Sequence, residues 1–198
     1  MRILHYTLGL APQRSGGLTL YSTDLMREQS KQHNVMLLYP SQYRWWSSQI
    51  KWKQKSDSVV ALINALPVPL LYGVSNPKDF IASSVMDIKQ MESLYDATKP
   101  DLFHVHTLMG LPKELLVYFK EKGVKLVFTT HDYFGICPRV NMIDLCGEVC
   151  TSPSAAKCMA GNIESKSTLF LRFRNSRFVL TLKNLTFIKW IYDKRSRL

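Results

Sequence analysis

The chain alternates short apolar runs with stretches whose apolar residues recur at helical spacing. Such alternation predicts an α/β, Rossmann-like parallel sheet with helices on both faces. RILHYT (2–7) reads as the first strand, and a Gly-, Pro- and Ser-rich loop, GLAPQRSGG, follows it. Gly16 and Gly17 then open a helix to about Gln32, with Leu18, Tyr21 and Leu25 on one face. VMLLY (35–39) is the second strand, stopped by Pro40. Residues 41–78 break the rhythm and read as an excursion: YRWWSSQIKWKQK is aromatic and basic, and INALPVPLLYGVSNP is punctuated by Pro and Gly. Helical spacing returns over 79–95, with Ile81, Val85, Ile88 and Tyr95 on a common face and Lys99-Pro100 as the stop. DLFHVH (101–106) and VKLVFTT (124–130) read as buried strands. The helix between them carries Pro112 near its first turn and Gly123 at its C-terminal end. Residues 168–198 fit either an amphipathic helix or a strand-and-helix pair.

With 198 residues, 46% of them apolar, the chain can bury a sizeable core, which excludes a disordered class. The expected domain spans 1–165, including the excursion 41–78 and a cysteine-containing loop at 137–158, and a basic aromatic segment covers 166–198. The formal charge of +11 is unevenly placed: 41–56 carries +4, 165–198 carries +8, and the remainder sums to −1. Charge confined to two segments does not suit a nucleic-acid binder, and no nucleic-acid partner is expected. Trp45, Trp46 and Trp52 interleave with Arg44, Lys51, Lys53 and Lys55, and Phe170, Phe173, Phe187 and Trp190 repeat the mixture near the C-terminus. Indoles at headgroup depth beside ammonium groups suit an anionic membrane surface, although the same side chains could cover a core. No stretch reaches the roughly 18 continuous apolar residues of a spanning helix. His5, Tyr6 and Thr7 interrupt the N-terminal run, which reads as a strand rather than a signal peptide. The expectation is a cytoplasmic protein, peripheral at the inner face of the cell membrane.

In open α/β sheets ligands bind at the carboxyl ends of the strands. Three strands here end suggestively, at Gly16-Gly17, at His104 and His106, and at His131-Asp132. A glycine pair opening a helix offers backbone N–H groups and the positive end of the helix dipole to a phosphate or a sugar hydroxyl. The chain lacks G-x-G-x-x-G and P-loop patterns, so classical dinucleotide or Walker-type binding is not expected. His104 and His106, two residues apart in a strand, should share a face. His106, at the strand end, is the better ligand candidate, and His104 reads as a satisfied interior residue. His131 and Asp132 could orient a hydroxyl or assist proton transfer, or Asp132 could simply cap the next turn. Cys137, Cys146, Cys150 and Cys158 are spaced C-x8-C-x3-C-x7-C, where only the C-x3-C pair resembles a zinc knuckle. Free thiols and a structural zinc are both open, and the absence of a signal peptide points to a reducing compartment.

Three stretches together, MRILHYTLGLAPQRSGGLTLYSTDLMREQSKQHNV, KPDLFHVHTLMGLPKELL and VKLVFTTHDYFGICPRVNMIDLCGEVC, resemble the N-terminal half of family 4 retaining glycosyltransferases, which have the GT-B fold. HDYFGICPR with its downstream cysteines is the most specific part, similar to a subgroup acting in bacterial surface-polysaccharide assembly. The resemblance implies that Gly16 and Gly17 lie near the donor phosphates and the acceptor. It further implies that His106 sits at an inter-domain cleft and that His131 and Asp132 face the sugar or acceptor. The implied substrates are a nucleotide sugar and a lipid-linked glycan acceptor, with no required cofactor. Enzymes of the family continue into a donor-binding domain with two glutamates eight positions apart. Glutamates here fall at 28, 92, 114, 121, 148 and 164, and none makes that pair. The expectation is a chain incomplete as an enzyme without a donor-binding domain, either as a truncated gene product or as one half of a split enzyme completed by a separate donor-binding chain.

Overall fold

A computed structural model of the protein describes residues 1–10, 14, 16–44, 47, 49–65, 85–134, 136–137, 140–144, 146–154, 156–158 and 167–183. The elements are β1 (Arg2–Tyr6), α1 (Gly17–Gln29), β2 (Asn34–Pro40), β3 (Lys51–Ser56), β4 (Val59–Ile63), α2 (Ile88–Thr98), β5 (Leu102–Val105), α3 (Lys113–Glu121), β6 (Lys125–Phe128), α4 (Thr168–Arg174) and α5 (Arg177–Lys183). The strands form one sheet in the order β3-β4-β2-β1-β5-β6. Every pairing is parallel except β3 with β4. This is the Rossmann-like α/β architecture that the alternation predicts. Because β2 and β5 flank β1 on opposite sides, the loops after β1 and β5 diverge at a switch point, where open sheets bind ligands.

Alternation along the strands gives the sheet two unlike faces. Leu4, Tyr6, Met36, Leu38, Phe103 and Val105 point to the side of α2 and α3, where they pack with Leu94, Leu115 and Phe119. Phe103 meets Phe119 edge to face at 5.1 Å between ring centroids. The Tyr6 hydroxyl, buried with them, donates to the Met109 carbonyl at 2.8 Å. Burying each large apolar side chain contributes ~1.5–3 kcal/mol, so this face contributes heavily to the stability. Residues of the other parity, including His5 and His104, face α1.

Residues 51–63 are not an excursion. They form a β3–β4 hairpin, and the apolar VVALI run of β4 pairs parallel with β2. Residues 66–78 of that segment, with Trp45 and Trp46, lie outside the described residues. Trp52 leans onto the core, whereas Lys51, Lys53 and Lys55 point the other way and are exposed. A row of lysines on an edge strand discourages pairing with another sheet.

Two further expectations shift. β6 is an edge strand rather than a buried one, with Leu126 and Phe128 substantially exposed. α2 is capped by Asp87, whose carboxylate accepts from the Lys89 N–H at 2.8 Å, and it buries Met91, Leu94 and Thr98 while Val85 and Ile88 stay exposed. Residues 79–84, including Ile81, lie outside the described residues. On α1 the buried positions are Thr19 and Ser22, not the Leu18, Tyr21 and Leu25 face. Small side chains let this helix approach the sheet closely. At α3, Pro112 is the N-cap and Gly123 (φ 78°) follows the C-cap in the left-handed conformation that closes such helices.

The C-terminal segment forms two helices, α4 and α5, joined at Asn175 and Ser176, and 184–198, with Phe187 and Trp190, lie outside the described residues. α4 buries Leu171 and stacks the Arg172 guanidinium over the Tyr43 ring at 5.4 Å. The Tyr43 N–H donates to the Asn175 carbonyl at 2.7 Å. Among the described residues no helix is long and apolar enough to cross a membrane.

Candidate functional site

Parallel register places His5 of β1 directly beside His104 of β5. His106 follows β5 by one residue, and its N–H donates to the Tyr6 carbonyl at 2.9 Å, which extends the ladder. All three imidazoles therefore project from one face, the α1 side, and His104 and His106 stack at 4.2 Å between centroids. None is more than 8% exposed. His131, just beyond β6, is half-buried and adds a fourth ring, with its centroid 5.6 Å from that of His106.

Hydrogen bonds link these rings into a row. His5 Nε2 lies 2.7 Å from Gln29 Oε1 on α1. An amide oxygen only accepts, so His5 carries its proton on Nε2 and, neutral, accepts through Nδ1 from His106 Nε2 at 3.0 Å. His106 then accepts through Nδ1 from His131 Nε2 at 3.3 Å. His104 stands beside the row, with Nε2 2.8 Å from the Thr129 hydroxyl.

Burial keeps the row neutral. It pulls His5 down to about 4, helped by neighbouring His104 and opposed by the Gln29 hydrogen bond. His106 falls to about 3, first through burial and then through His104, His5 and His131. Burial and His131 also lower His104. His131 is lowered by burial against the opposing charge of Asp132.

The carboxyl edge of the sheet gathers the predicted residues. Gly16, with φ 120°, is the N-cap of α1, and the space where a Cβ would stand at Gly16 or Gly17 is open. One turn into α1, the exposed Tyr21 ring stands edge-on to His131 at 5.0 Å and to His106 at 6.0 Å. Tyr21 thus connects the first turn of α1, which the glycine pair opens, with His106 and His131. Asp132 holds the turn that follows, its Oδ1 accepting from the Phe134 N–H at 2.9 Å. The capping reading of this carboxylate describes that contact.

The cysteines lie apart from the row. Cys146 is exposed, and Cys137, Cys150 and Cys158 are half-buried free thiols. Their loop is ordered by Asp144, whose Oδ1 accepts from the Cys146 and Glu148 N–H groups, and by a bridge between Ile143 and Val149. Among the described residues His5, His104 and His106 form a group of three metal-capable side chains, and the cysteines form none. His5, Gln29, Tyr21 and Thr129 are absent from the sequence-based candidates. A lone histidine in an apolar strand carries no signal of its own, and only the parallel pairing of β1 with β5 reveals its neighbours.

Compared with known proteins, the chain matches no family model, no curated protein and no solved structure.

Proposed function

We propose that the chain is the acceptor-side half of a family 4 glycosyltransferase with the GT-B fold. In this reading it helps move a sugar from a nucleotide-sugar donor to a lipid-linked glycan acceptor during surface-polysaccharide assembly at the inner membrane face. The observation that supports the reading is that Tyr21, one turn beyond the Gly16-Gly17 pair, touches both His106 and His131, which are hydrogen-bonded at the switch-point edge of the sheet. A helix N-terminus open above a glycine pair suits donor phosphates or acceptor hydroxyls. A half-buried imidazole held by a buried one can fix a hydroxyl in place, and such positioning is a large part of group-transfer catalysis. A separate donor-binding chain would supply the second wall of the cleft.

The test is transfer from labelled nucleotide sugars to a lipid-linked acceptor, by the chain alone and with a donor-binding polypeptide added. Transfer that falls about 10²-fold in His131→Ala is the expected outcome. Failure of either preparation to transfer sugar, together with failure to bind donor or acceptor, would overturn the reading.

A second reading, a non-catalytic binding module on the same scaffold, is favoured by the exposed Leu169, Phe173 and Phe178 of α4 and α5, set among Arg172, Arg174 and Arg177. Cosedimentation with anionic but not neutral vesicles, without any transfer activity, would select it.

A further inference from the structure

We propose that His5, His104 and His106 form a binding site for one divalent metal ion of the zinc type, held by three imidazole nitrogens with a fourth position left for water or a small anion. One ring nitrogen from each residue lies within 4.8 Å of the other two. His5 Nδ1 and His106 Nε2 are already 3.0 Å apart, close to the separation of about 3.3 Å that two nitrogens adopt around a tetrahedral ion with bonds of 2.0–2.1 Å. Such an ion would replace the hydrogen bond between them with little movement of either ring.

The surroundings supply what metal-bound histidines ordinarily need, a partner for the nitrogen that faces away from the metal. His5 Nε2 is held by Gln29, His104 Nε2 by Thr129, and His106 Nδ1 by His131. His5 already has the required tautomer, with its proton on the outer nitrogen and a lone pair directed inward. With Nε2 against Thr129, His104 leaves Nδ1 as its free nitrogen. His106 and His131 must change together: each proton moves from Nε2 to Nδ1, and the bond between them persists with its direction reversed. Binding then needs no proton to leave the ligand set, because each neutral imidazole keeps one N–H.

These partners are an amide, a hydroxyl and an imidazole, none charged, so a bound dication would keep its full charge in a buried place. Such a site favours hydroxide or a small anion as fourth ligand over neutral water. All-nitrogen ligation on rigid neighbouring strands suits zinc, cobalt and nickel better than magnesium or calcium, which take oxygen ligands. The inference is independent of the glycosyl-transfer reading, because it concerns binding alone.

The test uses tag-free full chain stripped with chelator and titrated with Co²⁺ alone, then Zn²⁺. One equivalent should bind with the visible spectrum of a four-coordinate nitrogen and oxygen site and no sulfur charge-transfer band, and Zn²⁺ should displace it. Zinc-edge absorption should show nitrogen at about 2.0–2.1 Å and no sulfur at about 2.3 Å. A variant with all four cysteines changed to serine should bind unchanged, and His104→Gln should lose the site. Gln29→Leu, which leaves the three ligands in place, should weaken binding by about 10–100-fold. Should His104→Gln fail to fold, the Gln29→Leu titration decides. Absence of stoichiometric binding, sulfur ligation, loss in the serine variant, or unchanged affinity in Gln29→Leu would each overturn the site.

Discussion

The two faces of β1 and β5 are built from neighbouring residues and behave as different materials. Leu4, Tyr6, Phe103 and Val105 are buried among aromatic and aliphatic side chains from α2 and α3. His5, His104 and His106, interleaved with them, are as deeply buried yet meet mainly nitrogen and oxygen. Apolar packing tolerates small geometric error, because dispersion is summed over many weak contacts. A buried polar row does not, since each unmatched nitrogen costs roughly 1–3 kcal/mol. The strands are therefore stabilised from one side and specified from the other.

The largest expected effect tests the apolar side. Phe119→Ala removes a fully buried ring packed on Phe103 and Tyr95, and denaturant unfolding should show a loss of about 3–5 kcal/mol. A loss below ~1 kcal/mol would show that this face does not dominate stability.

A pH series tests the histidine side. Unfolded histidines take up protons near 6.5, whereas folded His5 and His106 stay neutral down to about 4 and about 3. Between those values the unfolded state holds more protons, so acidification drains stability. The melting temperature should be flat with respect to these groups above pH 7 and fall steadily from about 6.5 toward 4. Phe119→Ala should shift that curve downward without changing its slope, and a changed slope would mean that the two faces are coupled.

The smallest effect belongs to the lysine row. Lys53→Glu, on the exposed side of β3, should alter stability by no more than about 0.5 kcal/mol. The same change should weaken sedimentation with anionic vesicles, and unaltered sedimentation would remove β3 from any membrane contact.

The architecture was legible wherever a local signal coincided with a global one. β1, β2 and β5 announced themselves as short apolar runs, and Pro112 and Gly123 bracketed α3. β4 was hidden because its partner β3 reads KWKQKS, a polar edge strand that blurred the whole segment. VKLVFTT looked buried because composition does not reveal whether a strand has one neighbour or two. The helix faces of α1 and α2 were misplaced for a related reason: what a helix turns inward depends on what it meets. α1 meets histidines through Gln29 and Tyr21, and the residues it buries are the small Thr19 and Ser22. His106 and His131 could be found because each follows an apolar run. His5 could not, since its importance rests on the register between β1 and β5, strands separated by nearly a hundred residues of chain.

The row from Gln29 to His131 also has a polarity. Each neutral imidazole has one proton to give, so the Gln29 oxygen at the α1 end orders every donor and acceptor that follows. In the metal-free chain His131, its proton spent on His106, is left with a lone pair on Nδ1. A group bound there must bring its own hydrogen, as an alcohol or an amine does, whereas the metal-bound chain, with this bond reversed, would offer a hydrogen instead. A side-chain amide on α1 thereby filters the chemistry of what binds at His131.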